Sequence, residues 1–107
     1  MIEIRSGPEN DHSFRLLSSN GQILLESVQF SGRRAMKATI AELKVLVAQP
    51  TVFERRTNYN GEFLFLLKDG NGNVIGNSMS YSSEAGMENG IENLRSGISK
   101  LPNDLHL

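Results

Sequence analysis

Cysteine and tryptophan are both absent from the 107-residue chain, and histidine occurs only twice. Without cysteine there is no disulfide, no thiol nucleophile and no cysteine ligand for a zinc or iron–sulfur site. The two histidines, His12 and His106, lie far apart in the sequence, and no residue is positioned as a partner for a general base at His12. We therefore expect no metal, no cofactor and no catalytic residue.

Long hydrophobic runs and an excess of one charge are also missing. The longest apolar stretches are four or five residues, whereas a membrane-spanning helix needs about 20. Residues 1–12 contain neither a basic nor an apolar segment, so we expect no signal peptide and a cytoplasmic protein. Eleven basic and twelve acidic residues leave a net charge of −1, which provides no general attraction for nucleic acids or anionic membranes.

The composition that remains is typical of one soluble domain covering residues 1–107. Hydrophobic residues make up 38% of the chain and charged residues 21%, which is too apolar for a disordered segment. The length is that of a single domain, too short for separate catalytic and cofactor-binding domains.

The sequence resembles itself when it is shifted by 51 residues, without a gap. Because these identities recur in register along the whole chain, they indicate an internal duplication, with repeats at residues 1–50 and 52–101. The identical pairs are Glu3/Glu54, Arg5/Arg56, Phe14/Phe65, Leu16/Leu67, Asn20/Asn71, Gly21/Gly72, Ser27/Ser78, Ser31/Ser82, Met36/Met87, Ile40/Ile91 and Leu43/Leu94.

Each half predicts three strands followed by a helix. The first strand alternates apolar and polar residues, and an Asn-Gly pair then marks a hairpin between the second and third strands. Apolar residues spaced 4, 3 and 4 apart follow, which is the stripe of an amphipathic helix. Ser31 and Ser82 are the predicted N-caps of the two helices. The stripes are Met36, Ile40, Leu43 and Val47 in the first half, and Met87, Ile91, Leu94 and Ile98 in the second.

We therefore expect an α+β fold of tandem βββα repeats related by a pseudo-twofold axis. A single copy would bury too little apolar surface, whereas two copies with both helices on an antiparallel sheet make an adequate core. A protein with a single repeat would need a second chain to complete its core, whereas here the two repeats complete one core within the same chain. We expect a monomer that forms an internal pseudo-dimer.

The second half resembles a known family. Residues 71–82 have the sequence NGNVIGNSMSYS, and a Gly90-Ile91 pair follows in the helix. This pattern is similar to the YegP-like family of small bacterial proteins, which contain one or two such repeats. The first half is a degenerate copy, with Thr39 in place of the helix glycine. The resemblance implies the tandem βββα fold and no established activity, so no catalytic residue can be transferred.

Asp69 begins a stretch, DGNGN, that resembles the start of a calcium-binding loop. The sixth loop position, which requires glycine, is Val74, and the twelfth, which requires glutamate, is Ser80. A hairpin turn is therefore the favoured interpretation. Ser27 and Ser78 recur in both halves but lack a nucleophile elbow and a matching histidine, so we expect them to form structural hydrogen bonds across the sheet or to a loop.

The most unusual chemistry lies at the predicted start of the first helix. A helix N-terminus favours acidic residues, as with Glu84 in the second half, whereas the first half has Arg33 and Arg34. Free backbone amides beside two guanidinium groups suit a phosphate or a carboxylate. The candidate ligand-binding residues are Ser31, Arg33, Arg34 and Lys37; the alternative is a solvated pair that reaches Glu26 or Glu42.

The leading functional hypothesis is a non-enzymatic module that binds an unidentified protein or a small anionic ligand. The first alternative is a small enzyme whose carboxylate, lysine or tyrosine site is assembled only by the fold. The second is a self-associating structural or stress-related protein. Neither a membrane nor a nucleic acid is an expected partner.

Overall fold

The chain folds as a six-stranded antiparallel sheet with two helices, in a computed structural model that describes residues 1–8 and 11–102. The strands follow the order β1-β2-β3-β6-β5-β4, so two three-stranded units meet at β3 and β6. The α+β class with its antiparallel sheet is confirmed. His106 lies outside the described residues. The elements are β1 (Ile2–Ser6), β2 (His12–Leu17), β3 (Ile23–Ser27), α1 (Arg33–Val47), β4 (Phe53–Thr57), β5 (Phe63–Lys68), β6 (Val74–Asn77) and α2 (Glu84–Ser99).

Both helices pack on one face of the sheet and contact each other. Their apolar stripes are all buried, as the 4, 3, 4 spacing predicted, and they meet inward residues such as Phe14, Phe65 and Leu67. Each fully buried side chain of this size contributes about 1.5–3 kcal/mol. On the opposite face of the sheet the alternate strand residues are polar. Among them, Arg15 in β2 forms salt bridges with Glu3 in β1 and Glu26 in β3.

The hairpins lie where Asn-Gly predicted them, but their loops are longer than a two-residue turn. The loop glycines Gly21 and Gly72 have positive φ angles of 84° and 83°. The amide that opens the loop donates to a carbonyl four residues later, and the adjacent register shift marks a bulge. These are three-residue loops, in which a left-handed glycine closes a turn beside a bulge.

Candidate functional site

The start of α1 lacks a side-chain cap. The N-cap residue is Gly32, which offers no side-chain acceptor, so the prediction that Ser31 caps this helix is wrong. The predicted cap Ser82 is wrong by the same single residue, because Ser83 caps α2 and its hydroxyl accepts from the Gly86 amide at 3.0 Å. Both helices begin one residue later than the predicted serine caps indicated. Only the second half has a serine at the N-cap position of its helix.

The structure brings the predicted ligand-binding residues to one exposed end of α1. Ser31, Arg33, Arg34 and Lys37 are all exposed, and none of the three cations pairs with a carboxylate among the described residues. The alternative pairing with Glu26 is not formed, because Glu26 contacts Arg15 instead, at 3.5 Å. The helix start therefore combines uncapped amides with cationic side chains that are open to solvent.

The duplicated serines have the structural role that the sequence predicted. Ser27 accepts a hydrogen bond from the Phe14 amide at 2.9 Å and donates to its neighbour's carbonyl. Ser78 makes the same two bonds in the second half, with the Phe65 amide at 2.9 Å. The prediction of hydrogen bonds across the sheet is confirmed, because each serine supplies the partner that a β-strand amide would otherwise lack.

The Asp69 loop is a hairpin turn, and its carboxylate is occupied by the loop itself. Both the Asn71 and Asn73 amides donate to Asp69 Oδ1 at 2.9 Å. These bonds, with that of Asn73 foremost, lower the pKa of the Asp69 carboxyl group. The hairpin interpretation is confirmed. Within residues 1–8 and 11–102, no group of three or more His, Asp or Glu residues is arranged to hold a metal ion.

A cleft lies beside the contact between β3 and β6, and the sequence did not predict it. The paired positions of β3 and β6 are Glu26↔Asn77 and Ser27↔Gly76. On one side the gap is closed, because the Val28 amide donates to the Ile75 carbonyl at 2.8 Å.

The matching position on the other side remains open. A shift of 51 residues predicts a bond from the Met79 amide to the Leu24 carbonyl, but this bond is not formed among the described backbone groups. We call the gap between residues 21–24 and 79–81, beside α2, the open cleft. Its counterpart at Val28 and Ile75 is the closed cleft.

One residue difference explains why only one side opens. At Gly76 the strands approach so closely that a Cβ atom would lie 2.5 Å from the Glu26 carbonyl oxygen. The residue at the matching position is Leu25, whose side chain is fully buried. A leucine cannot accept the contact that a glycine allows, so Leu25 and Ser78 do not pair as Ser27 and Gly76 do.

The open cleft has a volume of about 560 Å³, and α2 forms one of its walls. Tyr81 lies against that wall, so close that a Cβ atom at Gly90 would be 2.6 Å from its ring carbon Cζ. Burial raises the pKa of the Tyr81 hydroxyl group. The cleft is lined by Gly21, Gln22, Ile23, Leu24, Met79, Ser80, Tyr81, Gly86, Asn89, Gly90 and Asn93.

Comparison with known proteins places the chain in a family. A family model described as a domain of unknown function (DUF1508) matches residues 58–99. The UPF0339 protein YegP of Yersinia pestis is 34% identical over 106 residues, which cover 98% of this chain and 95% of that protein. The chain belongs to the UPF0339 family. Another family member, the UPF0339 protein YegP of Escherichia coli K12, is 29% identical over 104 residues.

Two solved structures share the fold. The solution NMR structure of the E. coli yegP protein, described as a protein of unknown function, has a TM-score of 0.84 at 27% identity. It matches 92% of this chain and 85% of its own. The UPF0339 protein SO3888 of Shewanella oneidensis has a TM-score of 0.85 at 24% identity, and covers 92% of this chain and 84% of its own. These relatives support the YegP-like resemblance and the fold, and none is named for an activity.

No helix in the described part of the chain is long and apolar enough to cross a membrane.

Proposed function

We propose that the protein is a non-enzymatic binding module that holds a small anionic ligand at the start of α1. The observation that supports this is the uncapped helix end with its exposed Arg33, Arg34 and Lys37. A phosphate or carboxylate group placed there accepts hydrogen bonds from the free amides and is attracted by the helix dipole. Two adjacent guanidinium groups add charge-assisted donors.

The expected affinity is modest because the site is exposed. A charged hydrogen bond contributes about 1.5–3 kcal/mol, and the helix dipole about 0.3–1 kcal/mol. Because an exposed site keeps the lower end of these ranges, two such bonds and the dipole together give roughly 4 kcal/mol, which corresponds to a dissociation constant of about 1 mM for inorganic phosphate alone. A larger ligand that also contacts Lys37 would bind more tightly.

The test is a titration of ¹⁵N-labelled protein with inorganic phosphate, followed by amide chemical shifts. We expect saturable shifts centred on residues 31–37, which disappear in Arg33→Glu/Arg34→Glu. The charge-matched control is Arg5→Glu/Lys100→Glu, because both residues are exposed and lie outside residues 31–37. Unchanged phosphate binding by the first variant would overturn the site.

We further propose that the module acts as a monomer. The outer strands β1 and β4 have charged residues, among them Glu3 in β1 and Arg56 in β4, and exposed charges oppose pairing with another chain's sheet edge. Light scattering coupled to size-exclusion chromatography would give the mass of one chain, about 11.8 kDa. A dimer mass would instead favour the self-associating alternative.

A further inference from the structure

The open cleft offers an unusual set of hydrogen-bonding groups, all of them uncharged. Its polar side chains are those of Gln22, Ser80, Tyr81, Asn89 and Asn93, and its lining includes no Lys, Arg, Asp or Glu. In the described part of the chain, the side-chain amide groups of Gln22, Asn89 and Asn93 and the Tyr81 hydroxyl group have no hydrogen-bond partner. Each amide can both donate and accept.

The backbone adds one donor and one acceptor at the same place. The shift of 51 residues equates the Met79 N–H with that of Val28, and the Leu24 carbonyl with that of Ile75. In the closed cleft the equivalent groups bond to each other at 2.8 Å, so there they are satisfied within the chain. At the open cleft no bond among the described backbone groups joins the Met79 N–H to the Leu24 carbonyl, and both residues line the space.

We propose that the open cleft binds a neutral ligand through a secondary amide group. A secondary amide has one N–H and one carbonyl, which is the complement of the Leu24 carbonyl and the Met79 N–H. A charged ligand would lose its hydration without gaining an opposite charge, because the cleft has none. The apolar surface of Ile23 and Leu24 suits the methyl or Cα group beside an amide.

The volume is compatible with such a ligand. A space of about 560 Å³ lies within the usual range of small-molecule sites, roughly 300–1,000 Å³. Two sources carry the same chemistry: a short uncharged peptide segment and an acetamido sugar. The site is independent of the anion site, because it shares no residue with positions 31–37.

The experiment titrates the ¹⁵N-labelled full chain with two probes in separate arms. One is the disaccharide di-N-acetylchitobiose, and the other is the blocked tripeptide acetyl-Ala-Ser-Ala-amide. We expect saturable shifts at Gln22, Met79 and Asn89 with at least one probe, at millimolar concentration. The arm that saturates identifies the source of the amide. No saturable shift with either probe at 20 mM, or shifts confined to other surfaces, would overturn the proposal.

The test variants change residues of the open cleft, and their control changes the matching residue of the first half. Asn89→Ala and Asn93→Ala each remove one amide from the open cleft, and we expect each to weaken binding about fivefold. Both residues are exposed on α2, and alanine favours a helix more than asparagine does, so the variants remain folded. The control is Glu42→Ala, at the position that matches Asn93, and we expect its affinity to stay within twofold of the unmodified protein. Equal affinity in all four proteins would contradict the site.

Discussion

The closed cleft and the open cleft are matching positions of the two halves, yet a backbone hydrogen bond closes only the first of them. At the closed cleft a glycine, Gly76, lets β3 and β6 approach until the Val28 amide bonds across the gap. At the open cleft Leu25 fills the same position and the equivalent bond is missing from the described backbone. A single side chain therefore decides whether a strand pair seals or leaves a space.

The wall that α2 gives to the open cleft also differs from the matching region of the first half, at two residues that contact each other. In the second half the Tyr81 ring lies against Gly90, whereas Phe30 and Thr39 occupy the matching positions of the first half. The half with the larger aromatic residue has the smaller helix residue. The N-termini of α1 and α2 also differ, since only α2 has a capping serine and an acidic residue in its first turn. Two halves with the same order of strands and helix can thus have different surfaces at matching positions.

The largest expected effect comes from opening the closed cleft with Gly76→Ala. The new Cβ atom would lie 2.5 Å from the Glu26 carbonyl oxygen and 3.1 Å from Ser27 Cα, and these backbone atoms cannot rotate away. We expect a loss of about 3 kcal/mol in the free energy of unfolding, measured by urea denaturation. Hydrogen exchange at the Val28 amide would also become faster, because its bond to Ile75 is lost.

The control for this change is Gly70→Ala, where an added Cβ atom meets nothing within 4 Å. Its free energy of unfolding should change by less than about 0.5 kcal/mol. A similar small change for Gly76→Ala would show that the close approach of the strands does not keep the cleft closed.

The next effect tests the pairing of Tyr81 with Gly90. We expect Gly90→Ala to destabilise the protein by about 2 kcal/mol, because the added Cβ atom meets the tyrosine ring. Tyr81→Phe removes the hydroxyl group and lets the ring move, so the double variant should recover at least half of that loss. The measurement is a double-mutant cycle of thermal and urea unfolding.

Gly97→Ala is the matched control on the same helix, since nothing lies within 4 Å of an added Cβ atom there. Alanine is the better helix former, so this variant should be stabilised by up to about 1 kcal/mol. Additive effects of Gly90→Ala and Tyr81→Phe would contradict the coupling.

The elements of this fold could be predicted from the sequence because each depends on a local pattern. The 4, 3, 4 apolar spacing, the Asn-Gly pairs and the alternation in β1 were sufficient to place the helices, the hairpins and the strands. The N-caps were predicted one residue early, because Ser31 and Ser82 stand next to the true positions and both residue types suit a cap.

The open cleft could not be predicted in the same way. It depends on the distance between β3 and β6, which are far apart in the sequence and approach only through the packing of both halves. The signal was present as a mismatch at position 25 of one half and 76 of the other, leucine against glycine. A mismatch in a repeat becomes informative only once the strand register is known.

A smaller difference is expected between the two structural serines. Ser78 is only 3% exposed, so Ser78→Ala leaves the Phe65 amide buried without a partner. We expect a loss of about 2 kcal/mol from this variant. Ser27→Ala removes the same bonds at a half-buried position, where water can replace them, and should lose about 1 kcal/mol. Urea denaturation of both variants gives the comparison, and equal losses would show that burial does not distinguish the halves.

The smallest effect concerns acid stability at the matching loop positions Asp69 and Ser18. The folded-state pKa of Asp69 is lowered, foremost by its hydrogen bond with the Asn73 amide, so its contribution to stability is present above about pH 4 and is lost as the pH falls below that value. Asp69→Ser should therefore reduce the difference in melting temperature between pH 7 and pH 3.

Ser18→Asp should increase that difference, because the backbone amide of Gln22 in the first-half loop already donates to the side chain at this position. Hydrogen bonds with Lys68 and Arg55 also lower the pKa values of Glu54 and Glu88, so we expect Asp69→Ser to keep part of its acid dependence. An unchanged pH dependence in both variants would mean that these loops do not differ in charge-dependent stability.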